Sequence, residues 1–115
     1  MKRIKVILAI AILAASSSLF AHGMMSDSYP KNGAIMADPT EHVAINFTKP
    51  MKLMTLKVVD AKGNAIDTDF KRVKATAIHF KAMLANIAPG DYKVHWKAMG
   101  NDGHLGKGFF GFVQH

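Results

Sequence analysis

The chain has 115 residues, 15 Lys and Arg against 8 Asp and Glu, and no cysteine. That length predicts a single domain. The absence of cysteine excludes a disulfide framework, thiol redox chemistry, cysteine nucleophiles and thiolate metal sites, so stability must come from an ordinary packed core.

The first segment reads as a leader. Met1-Lys2-Arg3-Ile4-Lys5 is basic, Val6–Ala15 is uninterruptedly apolar, and Ser16-Ser17-Ser18-Leu19-Phe20-Ala21 ends on a small residue. This order predicts a secretory signal peptide over residues 1–21, cut after Ala21, although Leu19 occupies the −3 place where a small residue is preferred. The apolar run of ten residues is half of what a permanent membrane helix needs, about 20. No later run compares with it, which argues against a multi-span membrane protein. Removing the leader takes Lys2, Arg3 and Lys5 with it, so net charge falls from +7 to +4. A mildly basic, exported chain without a Lys/Arg run is not expected to bind nucleic acid.

Beyond residue 21 the punctuation is regular. Turns are predicted at Tyr29-Pro30-Lys31-Asn32-Gly33, Ala37-Asp38-Pro39, Asp60-Ala61-Lys62-Gly63-Asn64, Ala88-Pro89-Gly90-Asp91 and Gly100-Asn101-Asp102-Gly103. Between them the chain alternates. Val43, Ile45 and Phe47 share one face; Met54, Leu56 and Val58 another; then Ile78 and Phe80; then Tyr92, Val94, Trp96 and Ala98; then Phe110 and Phe112. Period-two patterning with turns every ten residues or so predicts an all-β antiparallel domain over residues 22–115. One sheet alone would leave its apolar face wet, so two sheets are expected to close as a β-sandwich. Ala34–Ala37 and Lys81–Ala88 contain helix formers but are too short and too closely bounded by Gly or Pro to be helices. Lys57, Lys81, Lys93 and Lys97 are expected to be solvated and to guard edge strands.

Chemistry concentrates in two places. His79 and His95 fall on polar strand faces, His42 opens a strand and His115 ends the chain; none has a second ligand at metal-site spacing. His22 differs, because cleavage after Ala21 would make it the first residue. Its α-amine and imidazole could then close a chelate ring on one metal ion, the amine titrating near 8 and so displaceable by metal at neutral pH. The second place is Asn101-Asp102-Gly103-His104. Asp and His two apart in an extended segment project to one side. Taken alone, Asp102-Gly103 reads first as a hairpin turn with His104 incidental. With His22 added, the set becomes three nitrogens and one oxygen, the tetragonal N,O arrangement Cu(II) favours.

These residues resemble the CopC-type periplasmic copper-binding proteins over nearly the whole chain after the leader. The resemblance runs through His22, Ser28-Tyr29-Pro30-Lys31-Asn32-Gly33, Ile45-Asn46-Phe47-Thr48, Gly90-Asp91-Tyr92-Lys93-Val94-His95-Trp96-Lys97-Ala98, Asp102-Gly103-His104 and Gly108–Val113. The G-x-Y-x-V-x-W-x-A strand followed by D-x-H is its specific part. The resemblance implies an immunoglobulin-like Greek-key sandwich that binds Cu(II) in the periplasm through His22, Asp102 and His104. It also implies a role in copper homeostasis or resistance as a monomeric carrier or buffer, with delivery to an inner-membrane CopD-type partner. Two departures narrow it. Lys49 stands where some members place an extra acidic ligand, and Asp60–Asp67 lacks the methionines of a Cu(I) loop. Met24, Met25, Met51 and Met54 are the nearest candidates for a Cu(I) site, but methionine is also an adaptable core filler. The pattern resembles the single-site Cu(II) variety.

Two other readings stand beside this one. A copper monooxygenase also chelates through an N-terminal histidine, but its partner is a second histidine without an adjacent aspartate, and a charged fourth ligand would fill the position oxygen needs. A metal-free immunoglobulin-like interaction module explains the strands and lysines but not a histidine at the cleavage point.

Overall fold

The alternating runs become strands because β-branched and aromatic residues at every second position give each strand one face to bury. The computed structural model describes residues 24–115. The expected leader over residues 1–21, and His22, lie outside the described residues. The elements are β1 (Met25–Tyr29), β2 (Ala34–Met36), β3 (His42–Asp60), β4 (Ala65–Ile66), β5 (Ala77–Met83), β6 (Gly90–Gly100) and β7 (Leu105–Gln114), with no helix among the described residues.

The expected two sheets are joined into one. Its path is β1-β3-β6-β7-β2, with β4 and β5 also paired to β3. The long strand β3 links the two halves. Its first part, His42–Phe47, pairs with β1 and β5, and its last part, Met51–Asp60, pairs with β6 and β4. Thr48-Lys49-Pro50 marks the change of partner, where the β5 register jumps from Asn46↔His79 to Met51↔Ala77. Proline has no N–H to give a ladder, so it suits that junction. The result is a half-barrel that folds over its own core, not a pair of separate sheets. All pairs are antiparallel except β2 with β7, which is parallel.

The core draws on both halves: Val43, Ile45 and Phe47 from one, Leu53, Val58, Tyr92, Val94, Trp96, Ala98, Phe110 and Phe112 from the other. Phe47 meets Trp96 edge to face at 5.3 Å between ring centroids, joining the halves. The expected β6 and β7 faces are buried as alternation requires. Two details differ. A register shift between Leu53 and Thr55 changes the phase of β3, so Leu53 is buried while Met54 and Leu56 are only half-buried. Ile78 is exposed at the register break of β5, where His79 pairs with Asn46 and Ala77 with Met51 and no β3 residue stands opposite Ile78. The lysine expectation holds for Lys81, exposed on marginal β5, and changes for the rest: Lys57, Lys93 and Lys97 are exposed but lie on β3 and β6, which have neighbours on both sides. They dress a sheet face, not an edge.

Candidate metal centre

The β6–β7 hairpin builds this site from a short turn. Gly100 N–H donates to the His104 carbonyl at 2.9 Å, and Gly103 N–H donates to the Gly100 carbonyl at 3.0 Å. Gly103 adopts φ +85°, a left-handed conformation that favours glycine. The turn therefore holds Asp102 and His104 on either side of a residue that must bend backwards.

The two side chains meet. His104 Nδ1 lies 2.8 Å from Asp102 Oδ2, and Asp102 Oδ1 accepts the His104 backbone N–H at 3.1 Å. An ionised carboxylate only accepts, so Nδ1 carries the hydrogen and the neutral ring keeps its lone pair on Nε2. Both side chains are open to solvent, at 81% for His104 and 67% for Asp102. Hydrogen bonds from the His104 ring and then its backbone N–H hold the Asp102 carboxyl below the ordinary carboxylate value. The hydrogen bond to Asp102, followed by its charge, raises the His104 imidazole above the ordinary 6.5. A carboxylate fixing one imidazole nitrogen so that the other faces a metal is a common way of orienting a ligand. The carboxylate retains lone pairs of its own, so a divalent cation could take an oxygen from Asp102 as well.

Among the described residues, no three His, Asp or Glu side chains converge as a metal site. The described part supplies two members of the expected set, Asp102 and His104; the third, His22, falls outside it. The chain nevertheless enters the described region beside the hairpin. Met24 lies against Gly106, where a Cβ would stand 1.9 Å from the Met24 sulfur, and the Met24 carbonyl accepts the Thr48 N–H at 2.9 Å. Gly106 is two residues from His104. Sequence reading missed this contact; the only trace of it is a glycine near the start of β7, a sign of close approach.

The four methionines considered for Cu(I) have different surroundings. Met51 is a core residue, near Gly100. Met24 and Met25 are partly buried against the core, and Met25 and Met54 line one groove with Trp96. Three other histidines are engaged elsewhere: His42 stacks on Tyr29, His79 Nδ1 bonds the Asn46 side chain, and His95 packs by Phe109.

Comparison with known proteins agrees with this fold. The CopC domain model matches residues 25–115. Protein YobA of Escherichia coli strain K12 is 29% identical over 111 residues, 90% of each chain, and the Shigella flexneri protein of that name matches equally. CopC from Methylosinus trichosporium OB3b superposes with a TM-score of 0.65 at 18% identity, covering 81% of this chain and 93% of that one. PcoC, a methionine-rich copper resistance protein from Escherichia coli, gives 0.65 at 19% identity, covering 83% and 100%. With its D-x-H hairpin, half-barrel and a domain match spanning nearly all the described residues, the chain belongs to the CopC family.

Proposed function

We propose that this chain is an exported copper-binding protein, cut after Ala21, that holds Cu(II) through the His22 amine and imidazole together with Asp102 and His104. The observation that carries the reading is the Asp102–His104 pair, with Nε2 free to bind, on the hairpin against which Met24 packs. Only Gly23 lies between His22 and Met24, and the two chain steps reach about 7 Å at most, so the new terminus would be within reach of the hairpin. Nitrogen and carboxylate donors without sulfur suit Cu(II), and the Irving–Williams order favours copper over zinc at such a set. The structural likeness to PcoC, a copper resistance protein, supports this, as does family membership.

The chemistry is coordination. Copper displaces protons from the α-amine and imidazoles, and the Asp102 charge offsets part of the cation's. A monomeric periplasmic carrier or buffer in copper homeostasis or resistance is the role that follows, with a CopD-type inner-membrane protein as the recipient. Nothing in this arrangement asks for a bound substrate or a turnover step, so we read the protein as a carrier and not an enzyme. Met24, Met25, Met36 and Met51 are assigned to packing, and no Cu(I) site is assigned.

Electron paramagnetic resonance of the copper-loaded protein tests the reading. A tetragonal Cu(II) signal whose nitrogen coupling is reduced from three donors to two in His104→Ala supports it; an unchanged signal in that variant refutes the site.

A further inference from the structure

We propose that the outer face of the β3–β6–β7 sheet is a docking surface for an anionic phospholipid membrane. Strand register lays its side chains out as a grid. Thr55, Lys97 and Lys107 form one row, Lys57, His95 and Phe109 the next, and Val59, Lys93 and Gly111 the third. Alternation puts all nine on one side of the sheet. Lys93 Nζ lies 5.3 Å from the centre of the Phe109 ring, and His95 packs on the same ring at 5.7 Å, which fixes the face these groups share.

The charge on this face is uncompensated. Lys97 and Lys107 are paired directly across β6 and β7, an arrangement of like charges that costs stability when no anion stands between them. None of Lys57, Lys93, Lys97 and Lys107 makes an ion pair among the described residues. The nearest acid in register is Asp91, at the far end opposite Val113, and Asp27 of β1 lines one groove with Lys57, Lys97 and Lys107 without forming an ion pair with them. Four cations gathered at a stability cost imply an anionic partner.

The apolar residues decide which anion. Along the margin of this face lie Leu105, Phe109 and, beside Val113, Ile35 of β2, with 54%, 58% and 68% of their surfaces exposed. An aqueous acidic ligand gives such side chains nothing. A membrane interface accepts both kinds of group, apolar side chains entering the acyl boundary while lysines sit at the phosphates. The face is also an open three-strand surface, suited to a dispersed charge lattice. It lies on the hairpin that carries Asp102 and His104 but includes neither, so this proposal does not rest on copper binding.

The test is sedimentation of the protein with vesicles of phosphatidylcholine alone and of phosphatidylcholine mixed with phosphatidylglycerol. The expected result is pelleting with the anionic vesicles only, released by salt. Each lysine at such a surface contributes about a fivefold factor, so Lys97→Gln with Lys107→Gln should weaken partitioning about 25-fold. The pair Lys57→Gln with Lys93→Gln serves as an independent variant should the first misfold, and Phe109→Ser should weaken the binding that survives moderate salt. Equal pelleting with both vesicle types, or lysine variants that bind like the parent, would overturn the proposal. So would binding to polyglutamate without binding to anionic vesicles, which would assign the face to an acidic polypeptide.

Discussion

Met24 occupies the space a side chain would need at Gly106: a Cβ there would stand 1.9 Å from the methionine sulfur and 2.6 Å from its methyl carbon. This contact ties the start of the described chain to the strand leaving the D-x-H turn. Gly106→Ala should therefore push Met24 away and free the start of the described chain from β7. Because methionine can swing aside, the stability loss should be near the lower end of overpacking, about 1 kcal/mol, while copper affinity falls. Denaturant midpoints and copper titrations of the same variant separate the two effects, and adding Met24→Ala should restore stability but not affinity.

Gly108 makes the harsher comparison. A Cβ there would stand 2.7 Å from Cζ2 and 2.9 Å from Cε2 of Trp96, whose ring is locked in the core against Phe47. A rigid indole cannot move as methionine can, so Gly108→Ala should cost about 2–3 kcal/mol, more than Gly106→Ala. Tryptophan emission should shift as the only indole in the chain is displaced. Equal costs at the two positions would contradict this account of the packing.

The buried polar cluster near the carboxy-terminal end predicts a purely structural loss. Gln114 Oε1 accepts from the Thr40 N–H at 2.8 Å and its hydroxyl at 2.6 Å, while Nε2 donates to the Asp38 carbonyl at 2.9 Å. Gln114→Leu would leave buried Thr40 groups without an acceptor, at a cost of about 2–3 kcal/mol. Urea denaturation should show that loss, with copper binding to the surviving folded protein unchanged.

Acidity acts on the site through Asp102 and His104 in opposite senses. The His104 pKa is raised, so its protonated pairing stabilises the fold below the ordinary imidazole value and is lost as pH climbs through the raised one. The Asp102 pKa is lowered, so its share is present above the ordinary carboxylate value and lost as pH falls through the lowered one. The charged pair thus spans the window between them. Copper must displace the His104 proton, so affinity should begin to fall at a higher pH than for an unpaired histidine. Asp102→Asn should return the His104 titration toward 6.5, as nuclear magnetic resonance of the ring protons would show.

The strand content was legible because burial repeats every two residues: Tyr92, Val94, Trp96 and Ala98 are all buried as their alternation requires. Three things were not. The continuity of β3 through Pro50 depends on partners far away in sequence, and the phase change after Leu53 depends on a bulge that no local pattern encodes. Strand β2 is three residues long and pairs in parallel with β7, too short for a period to show. At the site, an extended Asp102–His104 segment was expected, whereas the two side chains meet across a turn in which Gly103 is left-handed. That Asp102 holds Nδ1 and leaves Nε2 open needed coordinates, as did the packing of Met24 on Gly106.

The most direct measurement compares Cu(II) affinity of the protein beginning at His22 with that of the same chain carrying one added glycine before it. The account predicts a loss of more than about tenfold on adding that residue, since the chelating amine is displaced from the imidazole it works with. Equal affinity for the two forms would contradict it.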